Sequence, residues 1–517
     1  MASRMWRTIL ALCVFCLALP SGLWADTHAA SSCSQADIDI AVTAATNGDT
    51  VTVPNADCTW SSLLTVTKGI RLQSLGGTIT STLSNTLRFT VTEAVCDATP
   101  FEIDGFNFVD TYDTGISNTA VIVITSTCKK FKIHDNTFSH SGSGDNSAIY
   151  ITGDSYGVVY KNLFLGKGDA LNINHAEWGG GTWGDGSWSD DPYLGTAKFV
   201  YFEGNTATVN AGNRTALTDI SGGARVVYRY NTVLNGTFSG HGFDSDGRRR
   251  GMRLSVAYKN ILEDTEAYGT CIQVRAGTGF IYENTMTGWV NDGSCLQGST
   301  YRWGTSYTVG HRCDDEVQDY VCLDSSSACT KDADGEGTGT DTTNCTVHPH
   351  TCVGPMDNNA GTGYGSPCRD GIGRGKDIGF ATAQASEPLF AWDNSGTNSG
   401  MSITADAVQN VDYYYDATGC TSGVTSGLDS AKCGTCTQGV GYWATDARKL
   451  YRCGVSNDWT EYYTEYTCPH PLTGLTGSCG SGAGTGYYNQ HLRPVSGAPG
   501  SSNKAGVGTS NHWAGSN

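Results

Sequence analysis

The chain has 517 residues and a formal net charge of −18, with only 16% of its residues charged. An acidic balance of this kind argues against nucleic acid as a partner, because phosphate binding needs a basic surface. Sixty-seven glycines and twenty cysteines, with abundant Thr, Ser, Asn and Tyr, point instead to an extracellular all-β protein in an oxidising compartment.

Residues 1–25, MASRMWRTILALCVFCLALPSGLWA, combine a basic start (Arg4, Arg7), an apolar run and a small residue at Ala25, the pattern of a secretory signal. The apolar run is too short to span a bilayer and no second candidate follows, so no membrane insertion is expected. Cys13 and Cys16 lie in this segment, which leaves eighteen of the twenty cysteines, an even number suited to disulfides. Cys433 and Cys436 have the spacing of a redox or metal site. No second pair completes a zinc set, so disulfide use is expected there too.

Further along, one unit repeats, an alternating β-branched or aromatic run closed by Asn. It reads EIDGFNF at Asn107, KIHDNTF at Asn136, VVYKNLF at Asn162, YFEGNTA at Asn205, VYRYNTV at Asn231, VAYKNIL at Asn260, FIYENTM at Asn284 and LFAWDNS at Asn394. The first seven are spaced 29, 26, 43, 26, 29 and 24 residues apart, a coil of mid-twenties length with one insertion. So short a strand cannot bury its face alone, and successive units must stack strand over strand at about 4.8 Å. The Asn at one corner of each coil either forms a ladder of side-chain amides or supplies the turn's positive φ.

This repeat, with the opening CSQADIDIAVTAATNGDTVTVPNADCTW at residues 33–60, resembles proteins of the pectate-lyase-like superfamily over roughly residues 33–415. The resemblance implies an all-β, right-handed parallel β-helix. It places a cap helix at residues 36–45 and a Gly48-Asp49-Thr50-Val51 turn into the first strand. The expected organisation is a signal over 1–25, the solenoid over 26–412, a small Cys- and aromatic-rich β module over 413–480, and a tail at 481–517 whose Gly/Ser-rich composition predicts disorder.

Two insertions interrupt the repeat, at about 175–195 and 291–375. The first carries Trp178, Trp183 and Trp188 among glycines, placed either to stack on sugar rings or to wedge into an apolar seam. The second holds seven cysteines and little strand pattern, as expected of a disulfide-rich loop region. Within it Asp332, Asp334 and Glu336 alternate beside Gly335, a candidate Ca²⁺ site made of oxygen ligands on a tight loop.

The densest polar cluster lies at residues 219–260. Seven Lys/Arg face two carboxylates between Arg225 and Lys259, with His241 set between Gly240 and Gly242. Fixed guanidinium groups hold carboxylates, so an acidic polysaccharide or glycan is the expected partner. β-Elimination from a uronic acid needs its carboxylate neutralised, a proton removed and the leaving oxygen stabilised. Arg248 and Arg250, on one face of an alternating run, and Arg253 suit the first task, and His241 the second. Arg225, one coil earlier, Asp219 and Asp244 are the remaining candidates, as orienting groups or Ca²⁺ ligands. The resemblance implies an Arg or Lys base on such a lateral face, often with Ca²⁺, though the Asp pattern that holds the ion in those lyases is not matched. Two other functions fit the same residues. Gly240-His241-Gly242 and the pair Asp190, Asp191 are similar to motifs of polygalacturonase-like hydrolases, and a groove of aromatic and cationic groups also suits a non-catalytic glycan-binding or surface-structural β-helix.

Overall fold

The computed structural model describes residues 25–112, 119–140, 146–166, 169–175, 186–209, 216–241, 251–265, 270–288, 296–299, 318–322, 345–349, 371–376, 385–397, 400–404, 407–455, 457–477 and 479. Their alternating apolar runs form strands that pair in parallel with the unit before and the unit after. The first sheet has twelve strands, from Thr27–Ala29 to Tyr413–Tyr415. The second and third have ten each, from Cys58–Trp60 to Ser395–Gly396 and from Leu64–Val66 to Met401–Thr404. One coil shows the circuit: Val200–Glu203 in the first sheet, Thr206–Val209 in the second and Ala216–Ser221 in the third, before Arg225–Arg229 begins the next. The fold is a parallel β-helix.

The cap helix spans Gln35–Ala44, within one residue of its expected place. Ser34 caps it by accepting from the Asp37 amide at 3.3 Å, and Ile38, Ala41 and Val42 close the end of the solenoid core. Lys68 Nζ donates to the carbonyls of Val42, Thr43 and Ala45 at 2.7–2.9 Å, which satisfies the helix C-terminus. Gly48 then turns the chain at φ 99° into Thr50–Val53.

The asparagines form a continuous ladder at the corner between the first and second sheets. Asn136, Asn162, Asn205, Asn231, Asn260 and Asn284 each donate both backbone N and Nδ2 to Oδ1 of the next Asn at 2.9–3.2 Å, ending on Asn394. Asn107 is a correction. The ladder position in its coil is Phe106, whose amide donates to Asn136 Oδ1, while Asn107 pairs with Thr137 one residue further on. The positive φ belongs to the residue before each Asn: Asp135, Lys161, Tyr230, Lys259, Glu283 and Asp393 at 52–57°, with Gly105 and Gly204 in the same place. The ladder amide and the left-handed residue are therefore separate parts of one turn.

Inside the coil, Phe106, Phe108, Phe138 and Phe164 stack with ring centres 5.0–5.5 Å apart. The first sheet is buried on both faces from strand Val200–Glu203 to Leu389–Trp392, which explains its unbroken apolar runs. Its outer face is covered by the C-terminal module, a four-stranded sheet of Val424–Gly427, Gly441–Ala444, Lys449–Cys453 and Trp459–Thr464. Tyr282 and Trp392 stack at 4.4 Å beneath Trp443. The fully buried Arg229 joins the two parts by donating to Glu203 at 2.6 Å, Tyr258 Oη at 2.8 Å and the carbonyls of Tyr466 and Thr467 at 2.8 and 2.9 Å.

Cystines join Cys33–Cys58, Cys96–Cys128, Cys420–Cys433, Cys436–Cys453 and Cys468–Cys479. Cys433 and Cys436 thus each pair elsewhere and form no redox or zinc couple. These five disulfides suit an oxidising, extracellular environment. No helix among the described residues is long and apolar enough to cross a membrane. The solenoid also continues past its expected limits: Leu296–Ser299, inside the second insertion, is a strand of the third sheet, and Tyr413–Tyr415 closes the first.

Candidate functional site

The third sheet turns two polar rows outward. Alternation sends Ile173, Ile220 and Val274 into the core and leaves their neighbours outside. Register aligns Asn172, Asp219, Ser239 and Gln273 in one row. Two positions on, Asn174 pairs with Ser221, and His241 and Arg275 follow the paired Gly240 and Val274. His241 bridges three coils. Its Nε2 lies 2.8 Å from Asp219 Oδ1 on one side, and its Nδ1 lies 2.5 Å from Arg275 Nη2 on the other. A guanidinium only donates, so Nδ1 is the acceptor and Nε2–H points at the carboxylate. The His241 side chain is 21% exposed and Asp219 13%, while Arg275 is 7% exposed and donates through Nε to the Gly240 carbonyl at 3.3 Å. Asp219 is the one carboxylate in these two rows among the described residues.

His241 sits at the corner where the chain passes from the third sheet to the first. The longest connections from the third sheet to the first start from this corner, between strands Leu171–Asn174 and Val200–Glu203, Thr237–Gly240 and Leu254–Tyr258, and Leu296–Ser299 and Leu389–Trp392. Long excursions gathered on one edge of a rigid scaffold are the usual setting of a binding site.

Three expected site residues are instead parts of the scaffold. Arg225 is fully buried and donates to Ser187 Oγ at 3.1 Å, to Ser187 O at 2.5 Å, and to the carbonyls of Asp191 and Pro192 at 2.8 and 2.9 Å. Burial, with Arg253 nearby, pushes its pKa down to about 9, so it stays charged at neutral pH. Trp188 is fully buried and donates to the Gly251 carbonyl at 3.1 Å, which makes it a wedge and closes its ring to sugars. Arg253 is buried 5.3 Å over that ring and pairs with Glu387 at 2.8 Å. The first insertion packs so closely that a Cβ on Gly223, at φ +76°, would come 2.8 Å from the Ser187 side chain.

Asp244, Arg248 and Arg250, the tryptophans Trp178 and Trp183, and the calcium candidates Asp332, Asp334 and Glu336 lie outside the described residues. Among the described residues, Glu102, Asp104 and His134 stand close enough to hold a cation. Arg71 already grips Asp104 with two bonds of 2.8 Å and Lys132 pairs with Glu102, so the cluster is neutralised from within. Glu203, Cys468 and Cys479 form a second such group, but its cysteines are a disulfide. Asp190 accepts from Tyr193 Oη at 2.6 Å and Asp191 pairs with Lys376 at 2.7 Å.

Sequence reasoning missed Arg275. Its signal was the alternation Ile272, Gln273, Val274, Arg275, which repeats the apolar-out-of-phase pattern of Phe238 to His241 one coil later. No family model matches the chain, and neither the curated proteins nor the solved structures contain a significant match.

Proposed function

We propose that the outward face of the third sheet binds an acidic polysaccharide and cleaves it by β-elimination, in a secreted protein of the pectate-lyase-like superfamily. The observation that carries this is the chain of contacts from Asp219 through His241 to Arg275 on the outward face. A uronate carboxylate arriving at this edge competes with His241 for the Arg275 guanidinium. Once Arg275 turns to the substrate, Nδ1 of His241 is bare and can take the proton next to the carboxylate; the electron pair forms the C=C bond as the neighbouring C–O bond breaks, and the imidazolium or a water gives a proton to the leaving oxygen. Asp219, already bonded through Nε2, stabilises the imidazolium that forms. The inverting hydrolase reading is weaker, because it needs two carboxylates about 6.5–9.5 Å apart and among the described residues these rows offer Asp219 alone.

A second reading, glycan binding without turnover, is favoured by one observation: both ring nitrogens of His241 are engaged. One experiment separates the two. Wild type and His241→Ala are incubated with pectate, alginate and glycosaminoglycans, with and without Ca²⁺, while the ultraviolet absorbance of unsaturated ends is followed. Product from wild type alone supports the lyase. Retention without product supports the binder. No product and no retention on any polymer defeats both.

A further inference from the structure

We propose that a pocket at the corner between the second and third sheets binds a hydroxyl-bearing arm of a small sugar or polyol through His140 and Asn146. Asp110 and His140 end successive strands of the second sheet in register, and Asn146 stands just before strand Ser147–Thr152 of the third. Asp110 Oδ2 lies 3.0 Å from His140 Nδ1 and accepts from Asn146 Nδ2 at 2.7 Å, while Oδ1 accepts from the Tyr112 amide at 3.2 Å. All three side chains are buried, with Asp110 and His140 4% and 8% exposed.

These bonds determine what the other ends of His140 and Asn146 present. A carboxylate only accepts, so His140 donates through Nδ1, and in the neutral imidazole Nε2 is left with a lone pair. Asn146 has its amide nitrogen on Asp110 and so offers Oδ1. Neither His140 Nε2 nor Asn146 Oδ1 has a hydrogen-bond partner. Leaving two buried acceptors unmatched is costly, and both residues border the same pocket of about 30 Å³. Its inner wall is apolar, built from the stacked rings of Phe108, Phe138 and Phe164.

Two acceptors call for a donor. Thr208 Oγ1, on the same lining and also without a hydrogen-bond partner, both donates and accepts, so an anion would meet one donor against two acceptors. A divalent cation is disfavoured too, because the Asp110 carboxylate already takes three N–H groups, the Asp169 carboxylate on the lining is engaged elsewhere, and the other acceptors are neutral. A hydroxyl donates its one proton to one of these acceptors while a water in the same space can serve the other, and the carbon that bears it suits a phenyl wall. The volume is that of about two waters at roughly 10–15 Å³ each, so a hydroxymethyl group enters while a ring stays at the rim beside the half-buried Ala148. The proposal does not rest on the lyase reading.

The test uses the full chain, selectively ¹⁵N-labelled at histidine, with the His140 signal assigned from His140→Gln. Glycerol, glucose and galactose are titrated separately, and ammonium chloride serves as the cation control. A saturable shift of His140 Nε2 is expected with at least one polyol. It should weaken by about tenfold or more, the loss of roughly one good hydrogen bond, in Asn146→Leu. It should also weaken in Ala148→Leu, which blocks the rim and leaves every buried polar group in place. No saturable shift, a response to ammonium alone, or unchanged affinity in Ala148→Leu overturns the proposal. The His241 signal in the same spectra reports on the other site, so the two ideas fail separately.

Discussion

Arg225, which begins the coil of His241, and Arg275, one coil later, are both buried but have different partners, and substitution should tell them apart. Arg225 satisfies Ser187 Oγ and three carbonyls from inside the scaffold. Arg225→Ala leaves those acceptors buried and unmatched, and should cost about 3–5 kcal/mol by denaturant unfolding. Arg275 faces His241, so Arg275→Lys should weaken polysaccharide retention while shifting the unfolding midpoint much less. A similar loss of stability in both variants would mean that Arg275 is scaffold too. Along the ladder, Asn231 accepts from Asn205 at 2.9 and 3.2 Å and donates to Asn260 and Phe202 at 2.8–3.1 Å. Asn231→Ala orphans groups on both neighbours and should cost about 2–4 kcal/mol. The asparagines were legible as a ladder because an identical residue recurs at a coil's spacing. The misplaced Asn107 shows the limit, since a slip of one residue leaves the spacing almost unchanged but moves the side chain to another row.

Among the elements, the strands of the first sheet in the early coils carry a charged surface whose stability depends on pH. Burial opposes ionisation of Glu102, but the bonds from His134 and Lys132 win and hold its pKa at about 2. His134 moves upward, also against burial, through Asp135 and Glu102. A depressed carboxylate stabilises the fold above its unfolded pKa of about 4.3, and that stability is lost as pH falls through about 2. A raised His stabilises below about 6.5 and loses this as pH rises through its folded value. The pair is therefore at full strength between roughly pH 4.5 and 6.5. Unfolding midpoints measured across pH should show Glu102→Gln flattening both limbs. Equal pH dependence in wild type and variant would show that the cluster contributes nothing.

For the whole molecule, the C-terminal module is the cover of the solenoid's first sheet. The fully buried pair of Arg229 and Glu203, bonded to the Tyr466 and Thr467 carbonyls, anchors it. Glu203→Gln leaves the guanidinium buried without its counter-charge, and a loss of about 3–5 kcal/mol is expected. A chain ending at residue 415 should expose the stripe of Tyr258, Tyr282 and Trp392. Binding of a hydrophobic dye and loss of solubility would register this, and a truncated chain as soluble as the full one would contradict it.

The sequence alone determined the coil, because strand alternation and a corner residue are local patterns that repeat at a regular length. The resemblance carried by the repeat and the opening segment marked the cap helix, and the dense polar cluster with its glycines marked His241 and Asp219 as candidates. What it left open was which polar residues face solvent. Arg225, Arg253 and Trp188 read as site residues until the first insertion and Glu387 folded over them, and Arg275 reached His241 only once the next coil stacked. Burial of an outer face depends on segments distant in the chain, as when Arg229 meets Tyr466 across 237 residues. A local period carries no information about such contacts, so only the tertiary structure decided them.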